Sequence, residues 1–477
     1  MQHVSSTRFE QSEWFLQQAW AALRGASARC AAVRFGEDGA LPSVFATSDL
    51  AAGSVAVAAL ALAEWRAQVV GLPEAVVVDR RLASLWFASS LRPIGWALPP
   101  VWDAVAGDYL AQDGWIRLHT NAPHHRQAAL AVLGVAGERE AVARAVRGWS
   151  ADALESAVVA AGGCAAVMRD HAAWLRHPQG RAVADAPLVS VRRFDAAVAP
   201  RHPAGDVSRP LAGIRVLDLT RIIAGPVATR FLAAAGADVL RIDPPRWEEP
   251  GAEQELTVGK RTARLDLKTT EGLSTLTALL ADADVLIHGY RSDALDRLGL
   301  DEASRRAINP SLVEVALDAY GWEGPWAMRR GFDSLVQMSC GIAEAGMRVW
   351  GRDRPTPLPV QALDHAAGYL VAAAALRGLT EQQRDGHGWL ARTSLARVAE
   401  WLQSAGQKTG DLAAFSSETA LDLTPAQEMT GWGPARRLRM PAALPDIQWC
   451  AMPPARPLGS DQPVWPAMSP CSQSMNS

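Results

Sequence analysis

The segment that decides the fold is PLAGIRVLDLTRIIAGPVATRFLAAAGADVLRIDPP, at residues 210–245. Its first apolar run, which includes Val216 and Leu217, is typical of a parallel strand that is buried on both faces. The turn Ala224-Gly225-Pro226 ends this run, and apolar residues then recur at helical spacing. A second apolar run at residues 239–242 predicts another strand. The segment therefore predicts a strand–helix–strand unit in a mainly parallel sheet.

This unit lacks the glycine pattern of a dinucleotide site. In such sites a G-x-G-x-x-G turn lets the pyrophosphate approach the first turn of the helix. Here the corresponding residues, 220–226, read TRIIAGP. We therefore expect no NAD or FAD as a cofactor.

Composition limits the classes of protein to consider. With 477 residues, of which 49% are hydrophobic and 20% charged, the chain can form two or three domains with a sizeable core. Its net charge of -3 gives no general reason to expect nucleic acid as a partner. The N-terminus has no signal-like apolar region, no run of 18 apolar residues occurs, and five scattered cysteines suit reduced thiols. We expect a cytoplasmic protein without nucleic-acid, membrane or metal partners.

Four further blocks follow the first in order, and together the five resemble a known family. They read VGKRTARLDLK, ADVLIHGYRSDALDRLGL, NPSLVEVALDAYGWEGPWAMRRGFDSLVQMSCG and PLPVQALDHAAGYLVAAAALRGL, at residues 258–268, 283–300, 309–341 and 357–379. They resemble the class III CoA-transferases, which include formyl-CoA:oxalate and carnitine CoA-transferases and α-methylacyl-CoA racemase. The resemblance implies an α/β fold, with a doubly wound, mainly parallel, Rossmann-like core and a small α+β domain.

The blocks outside the core follow an order that differs from the family's. The small domain resembles its family counterpart, yet here it precedes the core instead of following the catalytic Asp segment. We interpret the chain as a permuted or partly duplicated family member. The predicted divisions are a helical segment, the small domain, a linker, the core, a closing segment and a tail, at residues 1–105, 106–188, 189–209, 210–400, 401–465 and 466–477.

The first division is expected to hold a second copy of the Asp-helix block. Residues 48–65 align with residues 363–379 so that Asp49 falls on Asp364. The alternative is that two alanine-rich helices resemble each other through composition alone.

Asp364 is the candidate catalytic residue. A carboxylate can attack a thioester to form a mixed anhydride, and the start of a helix supplies backbone N–H donors for the charge. The resemblance places Asp364 on the family's catalytic Asp, whereas the alternative is a plain N-cap, the position expected for it here. Asp49 has the same local setting, and we interpret it as a vestigial copy or a cap. The alternative is that Asp49 is the working carboxylate.

Coenzyme A carries a 3′-phosphate and a pyrophosphate, so its site needs basic side chains at strand ends and turns. The resemblance assigns this role to four basic residues, for each of which a solvated surface charge is the alternative. The small residues Ala224 and Gly225 would let the backbone approach pantetheine or the acyl group. The four basic candidates are Arg241, Lys260, Arg261 and Arg291.

Two departures from the family narrow the predicted activity. The racemases have a catalytic His where this chain has Phe332, which cannot move a proton. The oxalate-specific transferases have a Gln where this chain has Ile223, and an apolar residue there favours a less polar acyl chain. His119, His124 and His125 lack metal spacing and are interpreted as surface histidines.

The predicted function is transfer of CoA from an acyl-CoA donor to a carboxylic acid acceptor through a covalent aspartyl intermediate. Acyl-CoA is then a substrate, and no metal or NAD is required. One alternative is an isomerase or racemase of the same family that uses a base other than Phe332. The other is a CoA-ester binding protein without turnover. The resemblance also implies a homodimer with interlocked subunits, unless the duplicated segments complete one chain by themselves.

Overall fold

A seven-stranded sheet forms the centre of the chain in a computed structural model, which describes residues 9–37, 39–71, 75–194, 205–291, 293–407 and 415–466. Six strands are parallel, and the seventh is an antiparallel edge strand. Numbered along the core, the parallel strands have the order 3-2-1-4-5-6 of a doubly wound sheet. Across the sheet the strands are β10 (Lys260–Arg264), β9 (Asp238–Asp243), β8 (Arg215–Leu219), β11 (Val285–His288), β12 (Val313–Asp318), β13 (Gly388–Ser394) and β7 (Ser190–Phe194).

Helices cover both faces of this sheet, and alternate strand residues feed two separate cores. In β8, Val216 belongs to the cluster that includes the long buried helices, whereas Leu217 belongs to the cluster on the other face. This alternation follows from the two-residue period of a strand. It confirms the α/β class and the mainly parallel sheet. The helices of the core region are α9 (Ala224–Ala234), α10 (Glu253–Leu256), α11 (Thr270–Ala281), α12 (Glu302–Ile308), α13 (Asp333–Ser339), α14 (Ile342–Val349), α15 (Ala362–Asp385) and α16 (Leu395–Ser404).

The two long helices at the centre of the molecule are α15 and α2 (Thr47–Val70), and they pack against each other. Each has 24 residues, with an Asp at its third position, and each ends at a glycine in the left-handed conformation, Gly71 and Gly386. Among the described residues, α2 is the one helix long and apolar enough to cross a membrane, although the sequence showed no fully apolar run of that length. In this fold 94% of the apolar 18-residue segment of α2 is buried inside the protein.

The N-terminal residues form a smaller layer beside α2. Two parallel strands and one antiparallel strand make a sheet, and a further antiparallel sheet joins the N-terminal part to the C-terminal part. The helices are α1 (Glu10–Ala22) and α3 (Arg80–Trp86), and the strands are β1 (Val33–Gly36), β2 (Val76–Asp79), β16 (Ala442–Ala443), β3 (Leu91–Pro93), β14 (Glu428–Thr430) and β15 (Gly433–Arg437). Short 3-10 turns lie at Ser27–Ala32, Asp296–Leu298 and Ala420–Asp422.

The small α+β domain has an antiparallel sheet and its own hydrophobic cluster. Near the end of this region, Gln179 connects the chain to the core. Its side-chain amide donates to the carbonyls of Tyr320 and Glu323 at 2.9 and 2.7 Å. The elements are β4 (Gly107–Leu110), β5 (Trp115–Leu118), α4 (Pro123–Leu133), α5 (Arg139–Val146), α6 (Ala151–Ala160), β6 (Ala165–Val167), α7 (His171–Arg176) and α8 (Pro178–Asp185).

The predicted linker at residues 189–209 differs from the structure at its beginning. Ser190–Phe194 form strand β7, which pairs with β13 and extends the main sheet. Residues 195–204 of that linker, and all of the predicted tail except Pro466, lie outside the described residues.

Candidate active site

A cavity of about 700 Å³ opens at the carboxyl ends of β8, β9, β11 and β12. Doubly wound sheets bind ligands at this edge, where the strand order reverses. The end of β8 contributes Thr220 and Arg221, and the start of α15 contributes Asp364. The small domain closes one side with His124 and His125. The cavity is therefore shared between the core and the small domain.

Asp364 lies in the first turn of α15 and is paired with a second carboxyl group. It is the third residue of the helix, whose N-cap is Gln361, so it does not occupy the N-cap position expected from the sequence. Its backbone N–H donates to Asp333 Oδ2 at 2.9 Å, and the Gln337 amide donates to Asp333 Oδ1. Asp333 is fully buried, and Asp364 is 8% exposed and lines the cavity.

Burial raises the pKa of both carboxyl groups. The pKa of Asp333 is raised to about 6, because its loss of hydration outweighs the hydrogen bonds that it accepts. The pKa of Asp364 is raised well above its usual value, first by burial and then by the charge of Asp333. To react as a carboxylate, Asp364 therefore has to lose its proton, although burial and the charge of Asp333 both favour the protonated form.

The turn before α9 brings backbone close to the cavity. Gly225 allows this approach, because a Cβ there would lie 2.2 Å from the Thr220 side chain. Gly368 allows α15 to approach the same turn closely, because a Cβ there would lie 2.5 Å from the carbonyl oxygen of Ala224. Ala224 and Gly225 both line the cavity. So does Ile222, which has a positive φ of 37°, whereas Ile223 does not line it. The residue that carried the sequence argument on acyl polarity is therefore not among those that line the cavity.

Two of the predicted CoA-binding residues are instead buried inside the fold. Arg241 has no exposed surface and donates to both carboxylate oxygens of Asp243, at 2.9 and 3.0 Å. Burial disfavours the charged form of Arg241 and so lowers its pKa. The negative charges of Glu249 and Asp243 have the larger opposite effect, and the net pKa is raised. Lys260 is also fully buried and donates to the carbonyl of Pro226 at 2.8 Å, and burial lowers its pKa to about 8. Their position corrects the expectation that they reach a ligand.

Arg261 is likewise turned away from the cavity, whereas Arg291 lines it. The guanidinium of Arg261 donates to Asp238, at the opposite end of the neighbouring strand, and to the carbonyl of Val464. Arg291 follows β11 and reaches the cavity wall. Of the predicted residues, the structure brings together Asp364, Ala224, Gly225 and Arg291.

Several basic residues that sequence reasoning missed line the cavity. Arg221 donates to the hydroxyl of Tyr290 at 3.1 Å, and its guanidinium lies over the rings of Trp247 and Tyr290. The signal for them is their place just after a strand or within the RLDLK, DALDRLGL and WAMRRGFD stretches. The missed basic residues are Arg221, Lys268, Arg297, Arg329 and Arg330.

The histidines are not surface residues, except for His124. His119 and His125 are 5% and 3% exposed, which corrects the interpretation from the sequence. The His119 ring stacks on Phe332, with centroids 3.8 Å apart. Among the residues that the structure describes, no group of three His, Cys, Asp or Glu side chains is arranged to hold a metal.

Asp49 occupies in α2 the position that Asp364 occupies in α15, but it does not line the cavity. Its Oδ1 accepts from Arg80 Nε at 2.8 Å and from the Ser12 hydroxyl at 2.9 Å. Its Oδ2 accepts from Arg80 Nη2 at 3.1 Å. Because both oxygens are engaged in a buried ion pair, this carboxylate is suited to a structural role.

Comparison with known proteins shows what the core region resembles. Residues 211–417 match the family described as CoA-transferase family III. A protein named probable fatty acyl-CoA transferase from Mycobacterium tuberculosis is 32% identical over 222 residues, which cover 42% of this chain and 54% of the relative. A succinate–glutarate CoA-transferase from Agrobacterium fabrum is 34% identical over 200 residues, 38% of this chain and 49% of the relative.

Each match covers only part of this chain and part of the related protein. An acyl-CoA transferase from Gibberella moniliformis is 29% identical over 322 residues, 62% of this chain and 56% of the relative. A solved structure of a CaiB/BaiF family protein from Brucella suis is 26% identical, with a TM-score of 0.36, and covers 48% of this chain and 65% of that one. The chain thus spans about half the length of the curated relatives it matches. Residues 211–417 are thus the part of the chain that is similar to CoA-transferase family III.

Proposed function

We propose that this protein is an acyl-CoA transferase that moves CoA from an acyl-CoA donor to a carboxylic acid acceptor, with Asp364 as the nucleophile. One observation carries the proposal. Asp364 lies in the first turn of α15, on the wall of a cavity rich in basic side chains, within a region that matches CoA-transferase family III.

The proposed reaction uses the Asp364 carboxylate twice. A carboxylate oxygen of Asp364 attacks the thioester carbonyl carbon, and the C–S bond breaks. CoA departs as the thiolate, and the acyl group remains on Asp364 as a mixed anhydride. The thiolate then attacks the aspartyl carbonyl carbon and releases the first carboxylate, which leaves CoA as a thioester on Asp364. The incoming carboxylate reverses these two steps. No proton has to be moved between the intermediates.

The basic residues on the cavity wall are the proposed grip on CoA. Phosphate groups favour guanidinium and ammonium donors. Arg221 and Arg291 follow the ends of β8 and β11, and Arg297 lines the same cavity from a 3-10 turn. Lys268 and Arg330 extend the same wall. Arg329 is less available, because it forms an ion pair with Glu155 at 3.0 Å. Arg241 and Lys260 are assigned a supporting role instead, since Arg241 holds Asp243, which lines the cavity, and Lys260 holds the Pro226 carbonyl in α9.

The acyl donor and acceptor are left open within the class of CoA esters and carboxylic acids. The relatives' names include fatty acyl, succinate and glutarate substrates. A cytoplasmic location and a homodimer both remain predictions from the sequence.

An isomerase of the same family is the second candidate, because Asp333 and Asp364 form a carboxyl pair that could hold a proton. Phe332 weighs against it, since the phenyl ring occupies the position of the racemase histidine and stacks on His119. A CoA-ester binding protein without turnover is the third candidate.

The test is intact-mass analysis of the wild type and Asp364→Asn after incubation with acetyl-CoA, succinyl-CoA and octanoyl-CoA, with and without hydroxylamine. We expect an adduct that hydroxylamine removes and that Asp364→Asn does not form. Asp49→Asn is the matched control, because it changes the equivalent residue of α2, and it should form the adduct. Incorporation of deuterium from solvent at the α-carbon, without an adduct, would instead support the isomerase. Binding of the esters with neither signal would support the third candidate.

A further inference from the structure

His125 is a buried polar side chain that the fold itself does not use. It lies in the first turn of α4, is 3% exposed and lines the cavity that contains Asp364. Among the residues that the structure describes, neither of its ring nitrogens has a hydrogen-bond partner. Burial of polar atoms without a partner is costly, so such a group is expected to serve a ligand.

A chain of contacts connects His125 to the nucleophile. Its ring meets the ring of Phe332 edge to face, with centroids 5.8 Å apart. Phe332 is held from its other side by His119 and directly precedes Asp333. Asp333 in turn accepts the backbone N–H of Asp364 at 2.9 Å. The small domain thus contributes an imidazole to the wall of the cavity that Asp364 also lines.

The protonation state of His125 decides what it can do. Burial, His124 and Arg330 lower its pKa to about 3, so the ring is neutral at physiological pH. A neutral imidazole has one N–H donor and one acceptor nitrogen. So low a pKa makes it a poor base for removing a proton from carbon, but leaves its N–H free to donate to an oxygen that gains negative charge.

We propose that the imidazole N–H of His125 donates a hydrogen bond to the thioester carbonyl oxygen of bound acyl-CoA and stabilises the oxyanion formed when Asp364 attacks. This inference rests on the proposed transferase function. As the bond from the aspartate oxygen to the carbonyl carbon forms, the C=O electron pair moves onto the oxygen that His125 contacts. When the pair returns, the C–S bond breaks and CoA leaves as the thiolate. His125 keeps its proton throughout.

The kinetic experiment measures the rate of adduct formation on Asp364 by rapid-quench intact mass with octanoyl-CoA. Loss of an oxyanion donor costs about a hundredfold or more in rate. We expect such a loss in His125→Phe, with little change in the octanoyl-CoA concentration at half-maximal rate. His125→Gln retains an N–H donor and should recover part of the rate. Gln127→Ala, an exposed change on α4 that does not line this cavity, is the control and should react like the wild type.

A spectroscopic readout separates this hydrogen bond from activity. In the Asp364→Asn background, the infrared carbonyl stretch of octanoyl-CoA labelled with carbon-13 at the carbonyl should lie at lower frequency when bound than when free. Adding His125→Phe should remove that shift, whereas adding Gln127→Ala should keep it.

The outcomes distinguish the two proposals. Wild-type rates and an unchanged shift in His125→Phe would overturn the role of His125, while the wild-type adduct would still support the transferase. A His125-dependent shift without any adduct in the wild type would overturn the transferase and retain the hydrogen bond to the carbonyl.

Discussion

The two carboxyl groups at the start of α15 predict how the reaction depends on pH. The pKa of Asp364 is raised by burial and by the charge of Asp333, so the reactive carboxylate form becomes more abundant as pH rises. In Asp333→Asn the second cause is gone, and the rising limb of the acylation rate should move to lower pH. Pre-steady-state rates of adduct formation between pH 5 and pH 9 measure this shift. Asp152→Asn, on the exposed face of the small domain, should leave the profile in place, and an unmoved profile in Asp333→Asn would contradict the coupling.

Asp318 predicts a second pH effect, on binding. It lines the cavity at the end of β12, its Oδ1 accepts the Gly321 N–H at 2.8 Å, and burial raises its pKa to about 7. As pH rises through that value, the new negative charge should weaken the binding of CoA, a polyanion, by a few-fold. Asp318→Asn keeps an acceptor for Gly321 and should abolish this decrease. Titration calorimetry with CoA at pH 6 and pH 8 compares the two proteins, and an equal decrease in both would assign the effect to another group.

Single residues also show what the sequence can and cannot predict about the site. The order of the blocks places Asp364 and Arg291 on the cavity. Arg241 does not line the cavity, because its guanidinium is held inside the fold by Asp243 and Glu249. Asp243 lies two residues further along the strand and therefore on the same face. His125 could not be assigned either. Whether a histidine in the first turn of α4 is exposed depends on how the small domain docks against Phe332, and no local pattern encodes that contact.

At the scale of elements, α2 and α15 have the same length, the same Asp position and the same glycine end, yet only one of them contributes to the cavity. Their relationship was visible in the sequence because the alignment of Asp49 with Asp364 is local. The difference between them was not visible, because it depends on Arg80, which follows β2 and reaches back to Asp49. Strand β7 escaped prediction for a similar reason, since an edge strand is defined by its pairing with β13.

The ion pair between Asp49 and Arg80 predicts a loss of stability without a loss of chemistry. Both side chains are buried, at 4% and 5% exposure, so Asp49→Asn leaves a guanidinium without its counter-charge. Breaking such a pair costs about 3–5 kcal/mol, which should appear as a clear fall in the thermal unfolding temperature. The double variant Asp49→Asn with Arg80→Met should recover part of that loss. Mass analysis should still find the adduct on Asp364 below the unfolding temperature. An unchanged unfolding temperature would contradict the structural role.

At the scale of the whole molecule, the N-terminal and C-terminal parts are interwoven, although they are separate in sequence. Helix α2 packs on α15, β7 pairs with β13, β3 pairs with β15, and Gln179 holds the turn that contains Tyr320. These contacts are non-covalent and extensive, and they bury apolar surface from both parts. The cavity itself is lined by His125 from one part and Asp364 from the other.

The chain should therefore stay assembled when its backbone is cut between these parts. A protease site inserted within residues 195–204, followed by cleavage, should yield two fragments that elute together in gel filtration and still bind CoA. The C-terminal fragment expressed alone should aggregate, because the apolar face of α15 that α2 covers would be exposed to water. Co-expression with the N-terminal fragment should restore a soluble complex. Fragments that separate after cleavage, or a C-terminal fragment that folds and forms the Asp364 adduct alone, would show that the interwoven contacts are dispensable.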